Sequence, residues 1–487
     1  VGRNETGLFI GGRWVEAHGQ EWIVAIDPAT EEVSGRIRAA DHIDIDRAIT
    51  AARSAFDNGP WPHLTHKARG EIIRKASAYL RDNLQTIAMT LTSEMGSPIS
   101  QSLAVQVPRA CQIWEFYADL AETYPWTERR PTYDSFNAGF DLIVEHAPVG
   151  VVAAVIPWNG PQIVAAMKLA PALMAGCTVI LKPSDEAALS FAALADAFTH
   201  AGLPEGVLNI VPANRELSEV LISDPRIDKV SLTGSTIAGK KVGAICAEAL
   251  RRCSLELGGK GAALLLEDVD LEATLAGLTG PMAFINGQAC NAPTRLLIPR
   301  SRYAEIVQGF ADTLGSLAFG DPKDPATFIG PLASKRQRDR VKGFLDIGIS
   351  EGARPVVGGG LPADKPRGWY VEPTLFADVD NAMAIAQQEI FGPVYCAIPY
   401  EDIDDAVRIT NDTPYGLQSS VWTAHPDKGV AVARRIRCGM VGVNSHTLDM
   451  AGPFGGMKQS GIGRECGPEG LADYTEIRCI MPPETVA

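Results

Sequence analysis

Long hydrophobic runs are missing from this chain. No segment approaches the roughly 18 unbroken apolar residues that a membrane-spanning helix requires. The longest apolar stretches, such as "VGVVAAVI" at 149–156, have the length of buried strands. An excess of positive charge is missing too. Lys and Arg total 44 against 58 Asp and Glu, a formal charge of −14. Nucleic acid and anionic membrane both demand a basic face, so neither is expected as a partner. The nine cysteines are odd in number and contain no C-x-x-C, which excludes a disulfide framework and fits a reducing, cytoplasmic compartment. The first nineteen residues hold no apolar run of the signal-peptide kind. The eight histidines form no H-E-x-x-H pair; "HLTH" at 63–66 is the nearest and reads as surface, so no metal is expected. G-x-G-x-x-G is also absent, and "GIGRECG" at 461–467 does not follow a strand and open a helix as that fingerprint requires.

What is present is an ordinary globular composition, 46% hydrophobic and 21% charged, over 487 residues. That length exceeds one compact core and implies two or three domains. Residues 44–56 and 67–96 have apolar residues three and four apart, so each reads as an amphipathic helix. Residues 126–150 are polar, turn-rich and alternating, the pattern of an exposed hairpin whose free edges another subunit would cover. From 149 onward short aliphatic runs alternate with helical patterns, the signature of a parallel sheet covered on both faces. Such sheets bind ligands at the carboxyl ends of their strands. Three strand ends carry polar residues: "PWN", "KPS" and "TGS". A second strand–helix series begins near 262 and is long enough to be another domain. "VVGGGLP" at 356–362 has no helix after it and reads as a surface turn.

Taken singly, the candidate residues have bland alternatives. "SLTGSTIAGKK" sets Gly234 and Ser235 between a strand and a helix, where free N–H groups would favour a phosphate; a plain serine cap fits equally well. Glu256 in "ELGGK" is either a solvated turn residue or a half-buried carboxylate suited to general-base work. Asn159 in "IPWNG" either makes a turn or donates to an oxyanion. Cys290, in "NGQAC", has no neighbouring histidine to activate it.

The joint order is another matter. "IPWN", "LKPS", "LTGS", "ELGGK", "NGQAC", "EIFGPV" and "PFGGMKQSGIGRE" follow one another across most of the chain. This sequence closely resembles the NAD(P)-dependent aldehyde dehydrogenases of the hydrolytic, non-acylating type. The similarity runs from "FIGGRWVEA" to "DYTEIR". It implies an α/β fold with a Rossmann-like NAD-binding domain (1–125 and 149–258), a second α/β catalytic domain (259–459), and a small oligomerisation segment (126–148 and 475–487).

The resemblance also implies roles. Cys290 is the nucleophile, forming a thiohemiacetal and then a thioester. Asn159 and the Cys290 N–H hold the oxyanion, each such donor being worth about 3 kcal/mol of barrier. Glu256 is the general base, and its presence points to hydrolysis rather than transfer to coenzyme A. Lys168 and Glu465 either relay protons from that base or form a buried ion pair. The cofactor residues are Ile156, Pro157, Trp158, Lys182, Ser184, Asp185, Gly234, Ser235, Leu257, Gly258, Glu389 and Phe391. Asp185 would accept from the adenosine ribose and repel a 2′-phosphate, so NAD is expected over NADP. The substrate tunnel is expected from Gly160, Met167, Ala289, Asn291, Leu448 and Phe454. Gly160, Met167 and Leu448 stand where the family is often aromatic, which implies a wide apolar tunnel for a medium-chain, long-chain or aromatic aldehyde. Only Arg295 and Arg109 keep a dicarboxylic semialdehyde in view. A homo-oligomer, dimer or tetramer, is implied. Two other classes stand beside this reading: a cofactor-independent cysteine esterase, and a catalytically silent ligand-binding relative.

Overall fold

The computed structural model describes residues 7–133 and 141–482. Period-two alternation of aliphatic residues builds the first sheet. In β3 (Val151–Val155), Val152 and Ala154 face one core while Val151 and Ala153 face another. Burial on both faces is what a continuous apolar run requires. Strands β3, β4 (Thr178–Lys182), β5 (Leu208–Ile210), β6 (Lys229–Thr233) and β7 (Arg252–Glu256) run parallel in the order β7-β6-β3-β4-β5. An antiparallel hairpin, β1 (Gly7–Ile10) and β2 (Arg13–Glu16), extends the β5 edge. Helix α1 (Pro161–Ala175) follows β3, and helix α2 (Thr236–Glu248) follows β6.

The second series forms its own sheet of seven strands: β8 (Gly261–Leu265), β9 (Pro293–Pro299), β10 (Arg354–Val357), β11 (Thr374–Ala377), β12 (Val394–Tyr400), β13 (Gln418–Trp422) and β14 (Met440–Val443). Their spatial order is β10-β11-β12-β9-β8-β13-β14, parallel except for the β10 edge. Ala262 and Leu264 of β8 face one core, Ala263 and Leu265 the other. The chain then returns to the first sheet through β15 (Gly461–Ile462), antiparallel to β7. "GIGRECG" begins on this two-residue strand and its last glycine opens the six-residue helix Gly467–Ala472, so the motif does open a helix, against expectation, but from an antiparallel strand that it overlaps rather than follows.

The two sheets meet at opposite ends. The first offers the loops that leave β3, β4, β6 and β7 at their carboxyl ends. The second offers the segments that lead into β8, β9 and β12 at their amino ends.

One expectation needs correction. Residues 67–96 are not a single helix but two, His66–Asp82 and Leu84–Met95. Asn83 breaks them: its backbone leaves the helical region, and its side-chain amide donates at 2.8 Å to the Tyr79 carbonyl that its own N–H also reaches at 3.1 Å. The hairpin expected at 126–150 is Thr127–Pro131 against Asp141–Pro148, and Thr475–Ile480 adds a third strand on the far side. Residues 134–140 and 483–487 of the expected oligomerisation segment, and 1–6 of the expected cofactor domain, lie outside the described residues. Among the described residues no helix is long and apolar enough to cross a membrane, and no three acidic, cysteine or histidine side chains gather as a metal site.

Candidate active site

The loop after β3 is fixed by Gly160, whose φ of +63° precedes Pro161, the first residue of α1. The turn leaves Asn159 buried. Among the described residues its side-chain amide and the Cys290 N–H have no hydrogen-bond partner. Ile156 is tied down by its N–H donating to the Lys182 carbonyl at 3.1 Å, and Pro157 and Trp158 project beyond it, half-buried.

The approach to Cys290 is held by side chains that sequence reasoning passed over. Ile285, Asn286 and Gly287 all have positive φ, a run that extended or helical backbone cannot supply. Asn286 is fully buried; its amide donates to the carbonyls of Gly96 (2.9 Å) and Pro331 (2.7 Å), and its oxygen accepts from Gly330 N–H at 2.7 Å. Gln288 accepts from Ala333 N–H at 3.1 Å. A Cβ on Gly287 would strike the Gly392 backbone at 2.6 Å. Beyond the cysteine, His446 clamps the chain again. Its Nε2–H donates to the Asn291 carbonyl (2.8 Å), and Nδ1 faces Ser420 Oγ at 3.0 Å, which accepts from Trp422 Nε1–H. Burial pushes the His446 imidazolium down to about 4, so the ring stays neutral. Asn291 is committed as well, its amide donating to Gln418 at 2.9 Å. Ala289 and Cys290 are half-buried.

Glu256, the last residue of β7, faces this cysteine. Its carboxyl is buried, and Oε1 has no hydrogen-bond partner. Burial raises its pKa to about 8, the Glu465 charge adds to the rise, and the Cys290 thiol beside it lowers it. The same burial and the Glu256 carboxylate push the Cys290 thiol well up. Behind Glu256, Lys168 Nζ lies 2.5 Å from Glu465 Oε1 and 3.2 Å from Ser231 Oγ, which also receives the Tyr474 hydroxyl at 3.0 Å. Glu465 is itself fixed by reciprocal backbone bonds with Phe454.

Two glycines let the halves approach. A Cβ on Gly258 would lie 2.5 Å from Glu389 Oε2, and one on Gly259 would lie 2.2 Å from the Cys290 carbonyl. Gly259 N–H donates to Glu389 Oε1 at 2.9 Å, and burial raises that carboxyl to about 7. Leu257 is held by its N–H donating to Ser460 O at 3.0 Å. Phe391 has φ +65° and meets Trp158 edge-on, centroids 5.4 Å apart. The Cys290–Glu256 pair and the Trp158–Phe391–Glu389 rim therefore each combine residues from both sheets.

The model of the aldehyde dehydrogenase family matches residues 14–480. The chain belongs to this family. It is 42% identical to a geranial dehydrogenase of Castellaniella defragrans over 473 residues, covering 97% of this chain and 98% of the relative. A Mycobacterium tuberculosis aldehyde dehydrogenase crystallised with NAD+ superposes with a TM-score of 0.95 at 44% identity, over 98% of both chains. A cysteine-to-alanine mutant of Pseudomonas syringae AldC, complexed with NAD+ and octanal, gives 0.93 at 38% identity, over 98% of this chain and 97% of that one. This aldehyde dehydrogenase oxidises an aldehyde with NAD through an acyl group carried on cysteine.

Around that centre the dehydrogenase has a second cluster of polar groups at the end of β4. Lys182 is buried, and burial lowers its pKa while Asp185 and Glu186 oppose the shift. Asp185 is exposed at the rim. Ser184 hydroxyl donates to Glu186, which also pairs with Arg336 at 3.1 Å; neither Glu186 nor Arg336 was signalled by the motifs. At α2, Ser235 Oγ accepts from Ala238 N–H at 3.2 Å, so it is the cap that the sequence allowed, with Gly234 beside it. Gly160, Met167 and Phe454 are buried and Leu448 half-buried, the last three within one apolar cluster that also includes Ile285 and Cys290. Arg295 is excluded as a substrate anchor. It is buried, and its guanidinium donates to Lys260 O, Asn381 Oδ1, Ile409 O and Thr410 O.

Proposed function

We propose that this aldehyde dehydrogenase hydrolyses its acyl intermediate with Glu256 as the base and works on an apolar medium-chain, long-chain or aromatic aldehyde. The observation that carries the first part is the buried, unpartnered Oε1 of Glu256 beside the Cys290 sulfur. An orphaned buried acceptor is costly unless a donor visits it, and a thiol proton or a water proton is such a donor. Glu256 takes the Cys290 proton; the thiolate attacks the aldehyde carbon. The oxygen gains negative charge opposite the free Asn159 amide and Cys290 N–H. After oxidation Glu256 deprotonates a water for attack on the thioester. The proton leaves toward the Glu465–Lys168–Ser231–Tyr474 chain.

The residues present suit NAD. Gly258 leaves a cradle that a Cβ would fill, Glu389 and Lys182 offer a buried carboxylate and ammonium at its two ends, and α2 opens on free N–H groups. When bound, NAD supplies the hydride acceptor. Ile156, Pro157, Trp158, Leu257 and Phe391 enclose it, Gly234 and Ser235 take phosphate, and Ser184 and Asp185 with Lys182 hold the adenosine ribose, disfavouring NADP. The cofactor unit is 1–125 and 149–258, and the catalytic unit 259–459. The three-stranded sheet pairs subunits into a homo-oligomer in the cytoplasm.

The substrate class rests on the apolar lining of Met167, Leu448 and Phe454, on the small Gly160, and on the loss of Arg295 as a carboxylate anchor. The geranial and octanal named for two relatives are of the same chemical kind. NADH formation against octanal, benzaldehyde, acetaldehyde and succinic semialdehyde tests it, with Cys290→Ala and Glu256→Gln alongside. Octanal or benzaldehyde should lead in kcat/KM. A clear preference for acetaldehyde or the semialdehyde would overturn the substrate class, and full activity in Glu256→Gln would overturn the base.

A further inference from the structure

Helix α2 lies on strand β7 along a matched seam. Positions 239, 243 and 246 are four and three apart and share one helix face; 257, 255 and 253 are two apart and share one strand face. The register is direct. A Cβ on Gly239 would meet Leu257 at 2.4 Å, and one on Gly243 would meet Leu255 at 3.5 Å. The next pair along is Cys246 over Cys253, and Cys253 packs against the apolar cluster that holds Cys246. Both cysteines are free. Cys246 is fully buried, whereas Cys253 is half-buried and reachable from solvent. The connection between them is short and tied, Arg251 N–H donating to the Cys246 carbonyl at 2.8 Å. The neighbouring Cys246 thiol lowers the Cys253 pKa and Lys229 helps, against burial and Asp473. Cys253 is thus the thiol that ionises first.

We propose that Cys246 and Cys253 are a redox modification site, closed to a disulfide by a peroxide, and that closure weakens NAD binding. The Cys253 thiolate attacks the O–O bond of hydrogen peroxide, giving a sulfenic acid and a hydroxide that takes up the thiol's proton and leaves as one water. The Cys246 thiol attacks that sulfur, forming the S–S bond and releasing a second water. Two thiols are oxidised and one peroxide is reduced. A disulfide holds its sulfurs about 2 Å apart, closer than any two sulfurs that are not bonded. Gly239 already touches Leu257, so drawing in the carboxyl end of α2 pivots its amino end at Gly234 and Ser235. This coupling rests on the reading of that end as the phosphate site; the cross-link itself does not.

The test uses the full chain carrying Cys290→Ser, which removes the competing thiol. Arg251 and Arg252 lie between the two cysteines, so trypsin leaves them on separate peptides joined only by the disulfide. Hydrogen peroxide should yield that joined pair, and calorimetry should show the NAD Kd raised about fivefold or more, with recovery in dithiothreitol. Adding Cys253→Ser should abolish both effects. A peptide map without the 246–253 link overturns the site, and a link with unchanged Kd overturns the coupling. Protein that binds no NAD before oxidation would instead sink the cofactor assignment, and the coupling with it, while the peptide map still decides the cross-link.

Discussion

Glu256 shows what one residue's surroundings do to its chemistry. In water a glutamate is ionised at neutral pH; here burial first, and the Glu465 charge second, hold its proton to about pH 8. The folded pKa lies above the ordinary value of 4.5, so the contribution of the protonated carboxyl to stability is complete below pH 4.5 and is lost as pH rises through 8. Glu256→Gln does not titrate. Its melting temperature should therefore gain on the wild type between pH 5 and pH 9, a relative shift read by thermal denaturation in both buffers. A constant difference would mean that the carboxyl is ionised throughout. Deacylation should follow the opposite course, rising toward pH 8 in the wild type and lying about 100-fold lower and flat in the variant, as expected for loss of a general base. Glu256 was visible in the sequence as part of "ELGGK", yet its burial was not, because burial comes from elements hundreds of residues away.

At the scale of elements, the strand–turn–helix alternation from 149 to 250 was legible because aliphatic runs of strand length are separated by helical periodicity. The loop before Cys290 was not. Asn286 and Gln288 look like polar loop residues, but they are buried and replace missing backbone partners in two other segments, at Gly96 and at 330–333. No local pattern announces bonds to Gly96 or Pro331. His446 was hidden for the same reason. Asn286→Ala should leave the Gly96 and Pro331 carbonyls and the Gly330 N–H unpaired, with a loss of about 3 kcal/mol. Urea unfolding would measure it; a loss below about 1 kcal/mol would mean that water replaces the amide. The single helix expected over 67–96 failed because the apolar spacing continues across Asn83 while the backbone does not. The motifs located Lys182 and Glu389 but gave no sign of Glu186 or Arg336, which lie outside them.

For the molecule as a whole, the sequence pointed to one parallel sheet, a second strand–helix series and a polar hairpin, and the pairing of that hairpin with the C-terminal strand needed the fold. The three-stranded sheet leaves Ile477, Ile480 and Met481 exposed on its outer strand and just beyond it. Apolar side chains on a free sheet edge favour pairing with a second copy. Ile477→Lys should therefore shift the protein toward monomer, measured by light scattering during gel filtration; an unchanged mass would move the subunit contact elsewhere.

The opposed ends of the two sheets carry one more consequence. Glu256 closes a strand of the first sheet and Cys290 introduces a strand of the second; Leu257, Gly258, Gly259 and Lys260 link β7 to β8, and the chain crosses back once more from β14 to β15. Neither half holds a complete reaction. Catalytic competence therefore reports the contact between the two sheets rather than the integrity of either one.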